Sequence, residues 1–244
     1  MEAGGLAVGL VALASLFNNA VDCFEYVQLG RSFGTNFQTS LLKLDNARLR
    51  LSRWGQAVGL SGNLEEVQSL QEATVQKEDI AKAERLLGQI MELFADTEKI
   101  STKYKRSVKL DDSSLTILNM RKLSIKRQNG TKLLQKVKWA LYEEKHFKRL
   151  IEDIINLVGD LLEVFLAVKQ EQLKLCEMEV SEIGVECLSV LIDIVRSQDK
   201  DLEAAISAAM KSDSKQGTVF NNYNSKVANQ AANIAIHGGQ TIHL

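Results

Sequence analysis

Few side chains in this 244-residue chain sit at spacings that could do chemistry. The histidines are His146, His237 and His243, and the last two lie six positions apart with no third ligand near them. A protein zinc site needs three or four donors, so no metal site is expected. Cys23, Cys176 and Cys187 show no CxxC spacing and no histidine cluster. Each falls in an apolar helical stretch and reads as a buried, reduced thiol of a cytosolic protein. The adjacent Glu143 and Glu144 face different sides of a helix and read as solvated charge, not as an acid–base pair. There is no P-loop, no GxSxG and no HExxH motif. The residues therefore predict no enzyme, no cofactor and no small-molecule substrate.

Function must then lie in how elements pack and move. The chain contains no proline, where average usage of about 5% would give several. Proline breaks helix interiors, so its absence fits a nearly all-helical chain. Charge is uneven. Residues 1–98 carry 8 basic and 13 acidic side chains, 99–149 carry 15 and 4, and 150–213 carry 5 and 14. Two readings stay open: basic and acidic helices packed side by side, or a basic face for anionic lipid. No RNP, zinc-finger or helix-turn-helix pattern accompanies the charge, so nucleic acid is not an expected partner.

Residues 3–21, AGGLAVGLVALASLFNNAV, carry no charge. In a helix they span roughly 28 Å, close to the hydrocarbon thickness of a bilayer. Met1-Glu2 lacks the basic start of a secretory signal. Asn18, Asn19 and the glycines argue against a constitutive span. The segment is either a buried helix of a bundle or a helix that leaves the bundle and enters a membrane. Gly5-x-x-x-Gly9 would allow close helix approach in either setting.

Along the chain, helix is expected over 6–28, with Gly30 to Gly34 as connector. Thr35 or Asn36 can cap the next helix. That helix shows Phe37, Leu41, Leu44, Arg48, Leu51 and Val58 on one stripe, broadened by Leu42, Leu49 and Trp54. It stops at Gly59 to Gly62. Residues 61–76 read as a loop. Ile80, Ala83, Leu87, Ile90, Phe94, Thr97 and Tyr104 mark another helix. Residues 105–113 read as loop. Helix is expected over 115–128, broken at Asn129-Gly130 and resumed over 131–145. Phe147, Ile151, Ile154, Leu157, Leu161, Val164 and Val168 mark a long helix. Ile183, Cys187, Val190 and Ile194 mark another, and 199–211 a last short one. Amphipathic helices with short linkers predict an all-α helical bundle, and no repeat suggests a solenoid.

After Asp213 the composition changes. Residues 214–244 hold five Asn and three Gln, and only Lys215 and Lys226 are charged. The short β-prone runs include Thr218-Val219-Phe220, Ala232 to Ile236 and Gln240 to Leu244. Such a tail is either flexible or able to stack into cross-β through Asn ladders. The expected organisation is a helical domain over 1–213 and a prion-forming-like tail over 214–244.

Three blocks carry a resemblance. Gly9 followed by Leu16-Phe17-Asn18-Asn19 and by Val21-Asp22-Cys23-Phe24-Glu25-Tyr26-Val27-Gln28-Leu29-Gly30-Arg31 resembles the opening of the fungal HeLo, or prion-inhibition and propagation, domain. Leu44-Asp45, Ala47-Arg48-Leu49 and Leu51-Ser52-Arg53-Trp54-Gly55 resemble a second block, and Trp139-Ala140-Leu141-Tyr142 a third. The resemblance covers about residues 4–212. It implies a mostly helical globule that executes regulated cell death, as in heterokaryon incompatibility or a fungal immune-like response. The C-terminal segment would adopt an amyloid β-solenoid templated by a partner with a similar motif. The bundle would then release its N-terminal helix to permeabilise the plasma membrane. Ala232 to Leu244 resembles one incomplete repeat of such a segment, where the family pattern has two, and this departure bears on the triggering step.

The expected inserting residues are Leu6, Val8, Leu10, Val11, Leu13, Leu16 and Phe17, with Gly30 and Gly34 as the hinge. Val219, Phe220, Asn222, Asn224, Ile234, Ile236 and Ile242 would template the tail. The expected partners are membrane lipid, an amyloid-forming receptor and further copies of the chain in the active state. The protein would be cytoplasmic and relocate to the plasma membrane on activation. The alternative is a non-catalytic adaptor or inhibitory module that stays folded and regulates a related effector.

Overall fold

The computed structural model describes residues 3–24, 27–29, 36–61, 76–101, 114–127, 139–141 and 144–213. Among these residues the chain forms α1 (Ala3–Cys23), β1 (Val27–Leu29), α2 (Asn36–Ala57), α3 (Lys77–Ser101), α4 (Ser114–Lys126), β2 (Trp139–Leu141), α5 (Glu144–Leu162), a 3-10 turn (Leu166–Val168), α6 (Lys169–Ile183), α7 (Val185–Val195) and α8 (Lys200–Asp213). One hydrophobic cluster runs through all eight of these helices. The helical bundle expected from the periodicity is the fold.

The centre of the bundle is α2, which packs on α1, α4, α5, α6 and α7. Its apolar stripe is buried as expected at Leu41, Leu42, Leu44, Leu49, Leu51 and Trp54. The helix is nevertheless polar on average, because Asp45, Asn46, Arg48, Ser52 and Arg53 are buried with the stripe. Its end is well specified. Leu60 donates to Gly55 O at 2.7 Å and Gly59 donates to Gln56 O at 3.0 Å, while Gly59 takes φ 84°. This is the paired Schellman closure, in which glycine occupies the left-handed position. Buried Leu60 completes it.

The helix α3 starts with Glu78 and Asp79 in its first turn, favourably placed against the positive end of the helix dipole. It buries Ile80, Ala83, Leu87, Ile90 and Phe94 and lies between α1 and α5. The helix α5 buries Phe147, Leu150, Ile151, Ile154, Val158 and Leu161 at helical spacing.

The structure corrects three boundaries. The first helix ends at Cys23 rather than running to 28, and Val27–Leu29 is a strand. That strand pairs in parallel with Trp139–Leu141, a stretch expected to be helix, in the register Val27 to Trp139, Gln28 to Ala140 and Leu29 to Leu141. A short apolar run does not reveal its state by local periodicity, and here a distant partner decides it. The long helix from Phe147 ends at Leu162, so Val164 and Val168 lie beyond it, in the turns leading to α6. The stripe from Ile183 to Ile194 is two helices parted by Gly184. At φ 91° a side chain there would be strained and would meet Glu186. Residues 62–75, 102–113 and 128–138, the last including the start of the helix expected over 131–145, and residues from 214 onward lie outside the described residues.

Candidate functional site

The helix α1 is not central. It packs by one face on α3 and α2. Leu10, Leu13, Ala14, Phe17, Ala20 and Val21 are buried on that face, while Val11 is 38% exposed and Ala12 and Ser15 are exposed beside it. Gly9 faces Ile80 of α3, and a Cβ there would stand in ordinary van der Waals contact with it, at 3.5 Å. Phe24, just past α1, meets Phe94 edge-on with centroids 5.0 Å apart. Phe17 packs on α2, with its ring centroid 6.2 Å from that of Trp54. Its ring end occupies the space a side chain at Gly55 would need. Full burial of a residue such as Phe17, Leu10 or Leu13 stabilises by about 1.5–3 kcal/mol each.

The opposite side of the same turn of α2 carries charge. Residues 53 and 55 are separated by about 200° around a helix. Arg53 is fully buried and is held by two carboxylates. Its Nε donates to both oxygens of Glu179 at 3.0 Å. Its Nη1 and Nη2 donate to Asp199 Oδ1 at 3.2 Å and Oδ2 at 2.9 Å. Arg127, at the end of α4, donates to Glu179 at 2.5 Å. Between the two sides, Trp54 touches Phe17 on one hand and Phe165 on the other, with centroids 5.8 Å apart in the second pair.

Asp199 has a second task. Leu202 N donates to its Oδ1 at 3.2 Å and Glu203 N to its backbone oxygen at 2.9 Å. It is therefore the N-cap of α8. Burial pushes the Asp199 carboxyl up, but the charge and hydrogen bonds of Arg53 outweigh this and hold it below the usual value. Burial likewise opposes the Arg53 charge, and Asp199 and Glu179 reverse the effect, raising it well above the ordinary value. A second buried carboxylate, Asp45, binds half-exposed Arg121 bidentately at 2.8 and 3.0 Å. Here burial wins over the Arg121 hydrogen bond and charge, and the Asp45 carboxyl is raised. Together with exposed Lys126–Glu182, these pairs tie basic side chains of α4 to single carboxylates of α2 and α6.

The HeLo family model, described as prion-inhibition and propagation, matches residues 5–191. This chain belongs to the HeLo family. It is 31% identical over 223 residues to heterokaryon incompatibility protein s of Podospora anserina, covering 86% of this chain and 72% of that protein. The identity to heterokaryon incompatibility protein S of the same organism is also 31%, over 219 residues, 84% of this chain and 71% of that one. Among solved structures, the HET-s N-terminal domain superposes with a TM-score of 0.71 at 29% identity, covering 83% of this chain and 98% of that one. A mutant of that domain gives a TM-score of 0.70.

Within this HeLo fold the expected inserting residues do not share one face. Leu10, Leu13 and Phe17 point into the core, Leu16 is partly buried against it, and Val11 faces outward. Leu6 and Val8 belong to α1, but their side chains lie outside the described residues. The hinge glycines Gly30 and Gly34 lie outside them too, as do Val219, Phe220, Asn222, Asn224, Ile234, Ile236 and Ile242. No helix among the described residues is long and apolar enough to cross a membrane, and none of their His, Cys, Asp or Glu side chains form a group able to hold a metal ion.

The sequence reading missed Arg53, Glu179 and Asp199. A signal for two of them was present. Arg53 continues the stripe Leu42, Leu49 at helical spacing, and Glu179 continues Leu175, Cys176. A charge on an apolar stripe needs a buried partner. Which partner it finds, 126 and 146 positions away, is set by tertiary packing alone.

Proposed function

We propose that this HeLo protein is a regulated cell-death effector of the heterokaryon-incompatibility type. In the resting state α1 is stored against α2 and α3. Templating of residues 214–244 into amyloid β-structure by a partner with a similar motif destabilises the bundle. The helix α1 then leaves its seat and permeabilises the plasma membrane as part of an assembly of several copies. The protein moves from cytoplasm to membrane in the process, and no catalytic step is involved.

The observation that carries this reading is the placement of α1. It is a peripheral, charge-poor helix whose apolar face would be exposed by one local separation, without dismantling the other helices. A helix with a stored apolar face needs water excluded again once it is released, and a bilayer supplies that. Its modest hydropathy fits insertion as an oligomer, in which Asn18 and Asn19 face other copies instead of lipid. The incompatibility role of the two Podospora anserina relatives supports the biological setting.

Val11 offers the test, because it is exposed in the resting state. Val11→Asp would leave the bundle folded but cost about 2.5–3.5 kcal/mol at the centre of an inserted helix. Full-length protein with preformed fibrils of residues 214–244 is expected to release dye from anionic liposomes, and the variant to lose most of that release with an unchanged melting curve. Equal release by the variant would refute insertion of α1. No release by either protein, with fibrils present, would favour a folded adaptor or inhibitor.

A further inference from the structure

We propose that Arg53-Trp54-Gly55, the last turn of α2, is the element that couples the start of α8 to the seat of α1. The inference rests on the function proposed above and assigns the path by which the tail reaches α1. Between them the three residues reach the ionic side formed by α6 and α8, Phe165 before α6, and Phe17 of α1. Arg53 holds Asp199 and Glu179. Trp54 packs between Phe165 and Phe17. Gly55 receives the ring of Phe17. Asp199 is both the N-cap of α8 and a partner of Arg53, and the tail follows α8 directly in the chain.

The consequence is mechanical and electrostatic at once. Drawing α8 away or fraying its first turn removes the cap and one of the two carboxylates on Arg53. A guanidinium that is fully buried and left with incomplete compensation is driven toward water. The turn that carries it would shift, and this is also the turn on which Gly55 fits Phe17. Because Gly55 tolerates no displacement of the ring toward it, a small movement of the turn unseats α1. Residues Arg53 and Asp199 are thus positioning residues that act through α2, not groups that touch membrane or partner.

Amide hydrogen exchange on the full chain, free of lipid and fibrils, tests the path. Asp199→Asn is expected to speed exchange of the amides of residues 10–21 by at least tenfold more than those of α5. Ile154→Val, a core change in α5 remote from this turn, provides the comparison for general destabilisation. In an Arg53→Met background the extra effect of Asp199→Asn on α1 should vanish, because the charge to be compensated is gone. Uniform acceleration across α1 and α5, or an Asp199→Asn effect that persists without Arg53, would overturn the proposal. Should Asp199→Asn unfold, Asp199→Glu, which moves the carboxylate by one methylene, must show the same selective loss in α1 or the proposal fails. Selective exchange in α1 without liposome release would leave the coupling standing and refute the membrane function. Seeded release with no selective exchange would do the reverse.

Discussion

Replacing Gly55 with alanine asks whether Phe17 truly fills the space above α2. A Cβ at position 55 would overlap the Cε2 and Cζ atoms of Phe17 and lie 2.8 Å from its Cε1. The ring cannot simply swing aside, since Phe17 is fully buried and already in contact with Trp54. Overpacking a core in this way costs about 1–3 kcal/mol. Against this, alanine is favoured over glycine within a helix by about 0.5–1 kcal/mol. The net expectation is a loss of ~1–2 kcal/mol, concentrated at the α1 interface. Two other glycines supply the control. A Cβ at Gly88 in α3 or Gly159 in α5 would meet nothing within 4 Å, so alanine there should stabilise by about 0.5–1 kcal/mol. Urea denaturation followed by tryptophan fluorescence measures all three. Thermal melts should agree, at about 2–4 °C per kcal/mol for a domain of this size. In a Phe17→Leu background the penalty of Gly55→Ala should shrink, because the smaller side chain leaves room. If Gly55→Ala stabilises as Gly88→Ala and Gly159→Ala do, Phe17 does not seat there, and the close approach of α1 to α2 is wrong.

Two further expectations concern titratable groups. Asp199 is held below its ordinary value by Arg53 despite burial, so its stabilising effect is fully present above the unfolded carboxylate pKa of about 3.9 and is lost as pH falls toward the lower folded value. Asp45, raised by burial, acts with the opposite sign, favouring the folded state as it protonates. Denaturation between pH 3 and 7 should show that Asp199→Asn removes part of the acid-side loss while lowering stability at neutral pH; an unchanged slope would refute the assignment. Burial pushes the Cys23 thiol up to about 11, with Asp22 adding to it, and the Cys176 thiol up to about 12. Little thiolate is present at pH 8 in either case, so maleimide should label the native chain slowly. Seeding with tail fibrils should accelerate labelling of Cys23, at the end of α1, ahead of Cys176; simultaneous labelling would indicate general unfolding instead of release.

Much of the bundle was legible because burial imposes helical spacing. The stripe Ile80, Ala83, Leu87, Ile90, Phe94 can be hidden from water only by a helix laid against a core, and it is. The ribbon of Val27–Leu29 with Trp139–Leu141 was not legible, since three residues are too few to show a period and the partner is remote in sequence. The break at Gly184 was also hidden: Ile183 and Cys187 are spaced as if on one helix, and only the backbone angle of the glycine between them shows otherwise. For the site, the uncharged segment 3–21 pointed to α1, but its orientation did not follow. A segment apolar nearly all round gives no face, and only packing decides that Val11 looks outward while Leu10 and Leu13 look in.

The polarity of α2 explains how one helix can be released without loss of the whole fold. A bundle held only by interchangeable apolar contacts could rearrange in many ways once α1 left. Here the central helix is tied to α4, α6 and the start of α8 by Arg53, Glu179, Arg127, Asp199 and by Asp45 with Arg121. Removing one partner of such a buried pair costs about 3–5 kcal/mol, although the intact pair adds little net stability over an apolar replacement. Its effect is therefore on which openings are allowed. Separations that keep the charges together cost little, and those that part them need a load such as a pull on α8. Of the two sides of the last turn of α2, the one facing α1 is apolar at Phe17, Trp54 and Gly55, while the one facing Glu179 and Asp199 is ionic. The division places the low-cost opening at α1 and makes the ionic side the point at which a pull on α8 would matter most.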